Sequence, residues 1–86
     1  MIAEAEIRGR LREFISNNFL IGKGSSPPQD GDSFLETGLI DSTGVLELVG
    51  YVQDTWEFEV GDEDMLPENL DSIDNLTAYV RRRLGA

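Results

Sequence analysis

The residues best suited to carry chemistry are Asp41 and Ser42, in the run Gly38-Leu39-Ile40-Asp41-Ser42-Thr43-Gly44-Val45-Leu46-Glu47-Leu48. A serine hydroxyl is a weak nucleophile until a base takes its proton. The sequence holds no histidine, and no other base is evident beside Ser42. Ser42 is therefore suited to be modified rather than to react by itself. Asp-Ser at a helix start also has a plain structural use, since such side chains cap the first turn. The setting favours more than a cap. A loop precedes Ser42 and a helix with a well-defined buried face follows it, so the hydroxyl projects at an exposed helix N-terminus. A phosphodiester attached there meets free backbone N–H groups and the positive end of the helix dipole.

Other chemistries lack their parts. There is no cysteine, hence no disulfide and no thiolate metal site. Lys23 lies among glycines, but no GxxxxGK[ST] phosphate loop is present. Asp30 and Asp32 are not followed by the rest of a twelve-residue calcium loop. Asp62, Glu63 and Asp64 read as the cap of a short turn rather than a cation site. No catalytic residue and no metal ligand set is read, and the chain is not expected to be an enzyme.

The elements that position Ser42 follow from apolar spacing. Ile7, Leu11 and Phe14, with Ile15 beside them, predict a first helix over about Ala3–Phe19. Glu4 and Glu6 each precede an arginine by four residues, which supports its exposed side. Glycines, serines and paired prolines from Ile21 to Asp32 predict a long loop. It leads into an anchoring turn over Ser33–Gly38, with Phe34 and Leu35 expected in the core. A second helix is predicted over Ser42–Trp56. Val45, Leu48, Val49, Val52 and Trp56 form its buried face, while Thr43, Leu46, Glu47, Gly50 and Asp54 form a second stripe pointing away. Gly44 and Gly50 interrupt this helix. Either packing tolerates them, or something approaches the backbone closely there. Asp62–Pro67 reads as a short helical turn that Pro67 discourages from extending. The last helix starts near Ser72, capped by Asp71 or Ser72, with Ile73, Leu76, Val80 and Leu84 as its buried stripe and three arginines in its last turn. The expected fold class is all-α: one domain over residues 1–86, a small bundle of three main helices plus one short helix, with a long first loop.

The net charge is −10, and it is unevenly spread. All seven basic residues lie before Gly24 or after Val80, while fourteen of the 17 acids lie between. Such a surface repels nucleic-acid phosphates and anionic membranes. The acidic stretch is either a solvated face or a docking surface that steers basic partners. The N-terminal residues lack the basic and apolar regions of a secretion signal, and no stretch has the length of a membrane span. A cytoplasmic monomer is expected.

Asp41-Ser42, followed by Val45, Leu46, Glu47 and Leu48, resembles the attachment motif of acyl carrier proteins. The resemblance covers the whole chain, with Val60, Asp62-Glu63 and Ile73 through Val80 falling where that family keeps its later core positions. It implies an acyl-carrier-like bundle in which Ser42 receives a 4′-phosphopantetheine arm from coenzyme A through a separate phosphopantetheinyl transferase. The arm's thiol then holds an acyl or aminoacyl group as a thioester. Asp41 is the motif neighbour, and the stripe Thr43, Leu46, Glu47, Gly50 and Asp54 is the implied docking face. The family often has Gly two residues before the motif Asp, where this chain has Leu39. It usually has Leu or Met after the motif Ser, where this chain has Thr43. Leu39-Ile40-Asp41-Ser42 with Gly44 is more similar to D-alanyl carriers and other free-standing carriers. The implied partners are then an acyl- or aminoacyl-adenylating ligase and downstream transferases or synthases of a dedicated pathway. A general fatty-acid carrier and an unmodified acidic interaction module are the alternatives.

Overall fold

Ile7, Leu11, Ile15 and Phe19 recur every fourth residue, and all four are buried on one side of a helix, α1, spanning Glu4–Phe19. A computed structural model describes residues 3–19 and 28–85 of the chain. Residues 20–27, which include most of the predicted long loop from Ile21 to Asp32, lie outside them. Where the chain is next described, Arg12 donates to the Pro28 carbonyl at 3.1 Å and to the Asp30 carboxylate, which ties the end of the loop to α1.

A one-turn helix, α2, spans Phe34–Thr37. Its cap Ser33 accepts from the Glu36 N–H at 3.1 Å, and Gly38 ends it with φ of 73°, a backbone region glycine enters without a Cβ penalty. Phe34 is fully buried, as expected, but Leu35 is 49% exposed. A single turn resting on the core points only one of two adjacent side chains inward, and that one is Phe34.

The second predicted helix appears with the predicted limits: α3 spans Ser42–Trp56. Leu48, Val49, Val52 and Trp56 are buried. Val45 is only half-buried, because its side of the helix faces a surface groove rather than the core. Phe14 of α1 stacks on Tyr51 of α3 with centroids 4.2 Å apart, and the Tyr51 hydroxyl donates to the Arg10 carbonyl at 3.2 Å.

A single 3₁₀ turn covers Asp62–Asp64, capped by Gly61 rather than Asp62. A further helix, α4, spans Pro67–Leu70. Pro67 opens this helix instead of closing the one before. At a first helical position proline's missing N–H costs nothing, since that donor has no intrahelical partner anyway.

The last helix, α5, spans Ile73–Arg83, and its cap is Ser72, whose hydroxyl accepts from the Asn75 N–H at 3.0 Å. Asp71 serves elsewhere. Its carboxylate accepts from Ser33 Oγ and from the Leu35 N–H at 2.9 Å, fastening α2 to the approach of α5. Ile73, Leu76 and Val80 are buried, joined by Thr77 and Tyr79. Leu84 follows the last helical residue and is exposed, which corrects its place in the predicted stripe.

The architecture is all-α, as the apolar spacing predicts: among the described residues, three substantial helices with two one-turn helices between them. α5 packs against α1 and α4. Each fully buried aliphatic side chain at these contacts contributes about 1.5–3 kcal/mol of transfer free energy.

Candidate functional site

The start of α3 is held from both sides. Ile40, buried just before the helix, is anchored through its N–H to the Phe34 carbonyl at 3.4 Å. Gly44, buried in the first turn, lies so close to its neighbours that an added Cβ would sit 2.8 Å from Ile40 Cγ2 and 2.9 Å from Phe19 Cε1. The absence of a side chain lets α1 and the Gly38–Ile40 approach close over the helix start. Gly44 therefore has a packing explanation.

Asp41, not Ser42, caps the helix. Its Oδ1 accepts from the Gly44 N–H at 2.8 Å, and its carbonyl accepts from the Val45 N–H at 2.9 Å. Ser42 is the first helical residue and is exposed. Its hydroxyl is not consumed by capping. The N–H groups of Ser42 and Thr43 remain as the first-turn donors that no intrahelical carbonyl can reach. Together they form a small positive end at which an anionic group is favoured by the helix dipole.

Beside Ser42 runs an apolar groove of about 190 Å³. It is lined by Leu35 of α2, by Val45 and Leu46 of α3, and by Met65, Leu66, Pro67, Leu70 and Asp71. Leu35, Leu46 and Leu66 are 49%, 60% and 42% exposed, so three of the four large exposed apolar side chains of the described residues border the same groove. Isolated exposed leucines are ordinary, whereas a shared groove beside one hydroxyl is informative.

The predicted outward stripe is exposed at Thr43, Leu46, Glu47 and Asp54 and half-buried at Gly50. It does not form one surface. Leu46 turns into the groove beside Ser42. Thr43 and Glu47 border a second hollow of about 230 Å³ with Phe19, Leu39 and Asp41. Glu47, Gly50 and Asp54 line a wider depression with Phe14, Asn18 and Tyr51. The groove residues Leu35, Met65, Leu66 and Leu70, and the α1 residues Phe14 and Asn18, are not legible as site residues in the sequence, because none lies on α3 or shares its spacing.

Ion pairs among the described residues engage Glu4, Asp30, Asp64 and Asp74. Arg8 pairs with Glu4 at 3.3 Å, with Asp30 at 3.0 Å and with Asp74 at 2.5 Å; Arg81 pairs with Glu4 at 2.9 Å, and Arg83 with Asp64 at 3.3 Å. The hydrogen bond to Asp74 leads in holding the Arg8 pKa above its ordinary value. Arginines of α1 and α5 thus pair across the two helices and reach the segments at Asp30 and Asp64. Among the described residues, Glu36, Asp41, Glu47 and Asp54 have no ion pair. They share that state with acids elsewhere, among them Glu6, Glu13, Glu59 and Glu68, so unpaired negative charge is spread over the surface and includes the start and outer face of α3. No cluster of potential metal ligands occurs among the described residues, and no helix there is long and apolar enough to cross a membrane.

Compared with models of known families and with curated proteins, the chain matches none.

Proposed function

We propose that this chain is a carrier protein that holds an acyl or aminoacyl group as a thioester on a 4′-phosphopantetheine arm attached to Ser42. The observation that carries the reading is the division of labour at the head of α3: Asp41 makes the capping bond and leaves the Ser42 hydroxyl exposed. A serine whose use was structural would itself be the cap, as Ser33 and Ser72 are on α2 and α5.

The residues present fit the group. Ser42 Oγ takes the phosphopantetheinyl unit from coenzyme A as a phosphodiester, its proton passing to the transferase and the adenosine bisphosphate half leaving. The Ser42 and Thr43 N–H groups offer donors to the phosphate. Once attached, the group supplies a thiol, which this cysteine-free chain otherwise lacks. The apolar groove beside Ser42 gives the arm or its cargo a surface to rest on between encounters. The unpaired acids on α3 steer basic partners: the transferase, an adenylating ligase that loads the cargo, and the transferases or synthases that receive it.

The test is intact-protein mass spectrometry after incubation with a broad-specificity phosphopantetheinyl transferase and coenzyme A. One added arm is expected on the native chain and none on Ser42→Ala. No added mass on the native chain, or an arm on Ser42→Ala, would sink the reading.

A further inference from the structure

Between the buried Val60 and the buried Leu70, no side chain is buried. The segment nevertheless brings Met65, Leu66 and Pro67 to the groove beside Ser42. Apolar burial therefore fixes its two ends, and polar bonds decide where its middle sits.

Those bonds converge on Asp64. Its carboxylate accepts from the Tyr79 hydroxyl at 2.9 Å and from Arg83 Nη1 at 3.3 Å. The same Arg83 nitrogen donates to the Tyr79 hydroxyl oxygen at 2.9 Å, so the three side chains close a ring. Both donors belong to the C-terminal half of α5. Tyr79 is buried, and the Arg83 guanidinium lies 4.7 Å above the centre of the Phe58 ring, which orients both donors. The Asp64 carbonyl accepts from Asn69 Nδ2 at 2.9 Å and from the Leu66 N–H at 2.8 Å. Asn69 Oδ1 in turn accepts from Arg82 at 2.8 Å. Met65 directly follows Asp64, so whatever holds the acid holds the groove lining. Segments with little buried apolar surface open locally at lower cost than the whole fold. Here charge-assisted bonds supply the restraint that burial does not.

We propose that residues 61–67 form a strap at the groove, and that Tyr79 and Arg83 are the clasp that keeps it closed. The strap opens as a unit while the bundle stays folded, so the end of α5 controls access to the groove. This deepens the reading of the groove as a resting surface for the arm or its cargo, and it rests on that reading only for what the groove receives. The clasp itself belongs to the unmodified chain.

The first test is native-state hydrogen exchange on the full, unmodified chain. The Met65 and Leu66 amides donate to the Asp62 and Asp64 carbonyls. They should exchange through a smaller opening than the Leu48, Val52 and Leu76 amides of the long helices. Arg83→Gln and Tyr79→Phe should each speed exchange at Met65 and Leu66 about two- to tenfold relative to those helix amides, as the loss of one net hydrogen bond implies. The double variant should fall short of the product of the two factors, because both side chains belong to one ring. Arg83 is exposed at the helix end, so its variant keeps the test alive should Tyr79→Phe fold poorly. Access is read separately. Leu70 is buried and lines the groove, and the chain has no cysteine, so Leu70→Cys introduces a single thiol there. Its reaction with N-ethylmaleimide, an uncharged reagent, should quicken by a similar factor when Arg83→Gln is added. Exchange at Met65 and Leu66 only through global unfolding, or no faster in the variants than at the helix amides, would overturn the clasp. A labelling rate unmoved by Arg83→Gln would overturn its control of the groove. Ser42→Ala should behave like the native chain in both assays, so a failure of Ser42 modification and a failure of the clasp are separate results.

Discussion

Alanine at Gly44 and at Gly50 should change stability by different amounts, although both positions lie in α3. Replacing an interior helical glycine by alanine stabilises by about 0.8–1 kcal/mol when nothing obstructs the methyl group. Nothing lies within 4 Å of a Cβ at Gly50, so Gly50→Ala should realise that gain. At Gly44 the same methyl would sit 2.8 Å from Ile40 Cγ2 and 2.9 Å from Phe19 Cε1. Carbon atoms prefer about 3.5–4.0 Å, so the methyl overlaps two buried side chains by about 0.6–1.2 Å. Overpacking of this kind costs about 1–3 kcal/mol. The propensity gain largely cancels between the two variants, which leaves a gap of about 1–3 kcal/mol, with Gly44→Ala the less stable. Urea denaturation followed by circular dichroism measures it. With a slope of about 1 kcal/mol per molar urea, Gly50→Ala should raise the midpoint by roughly 0.8–1 M, while Gly44→Ala leaves it unchanged or lowers it by up to about 2 M. Equal rises for both variants would refute the packing explanation of Gly44.

Tyr79 provides a pH dependence. Burial first, and then its hydrogen bond to Asp64, push the phenol pKa above the ordinary 10.0, against the opposing influence of Arg83. Above pH 10 the unfolded chain therefore loses this proton before the native one does, so stability is intact below about pH 10 and falls as pH rises toward the native value. Tyr79→Phe should flatten that fall in melting temperature, and an unchanged alkaline slope would count against it. Glu57, which ends α3 with φ of 57°, is the one non-glycine residue with positive φ among the described residues. Glu57→Gly should raise stability by about 1 kcal/mol in the same urea assay, and destabilisation would show that its side chain has an unrecognised role. Glu47→Lys and Asp54→Lys should slow transferase action on Ser42 in a salt-dependent way, whereas Leu46→Ala should weaken binding with little salt dependence. All three should keep the native circular dichroism spectrum, and unchanged loading rates for both charge reversals would move the docking face off α3.

The limits of α3 are legible in the sequence because two signals agree at Ser42: a capping residue immediately before it and an apolar period immediately after. α1 is legible from period alone. The one-turn helices are harder. A four-residue element has too few positions to show a period, so the sequence cannot say which of Phe34 and Leu35 turns inward. Pro67 reads as a stop in the sequence because proline's two uses, opening a helix and preventing one, look alike without the flanking backbone. Ser42 is identifiable as a site residue from its local context. The groove beside it is not, since Leu35, Val45, Leu66 and Leu70 come together only through the bundle. The long-range ion pairs are equally hidden. In sequence the bases stand apart from the central acids, while in space Arg8 and Arg83 reach Asp74 and Asp64.

The pairing of Arg8 with Asp74 spans 66 positions and that of Arg81 with Glu4 spans 77. On a ribosome adding about 5–20 residues per second, Asp74 follows Arg8 by roughly 3–13 s. For that interval the apolar side of α1 has no α5 to cover it, and a 16-residue helix is only marginally stable by itself. Nascent α1 therefore samples coil until the last helix has been made and is free to pack on it, and folding is completed by joining α5 to α1 rather than by growth outward from the first helix. A stall in translation before Ile73 would leave Ile7, Leu11 and Ile15 exposed to whatever binds unfolded apolar segments.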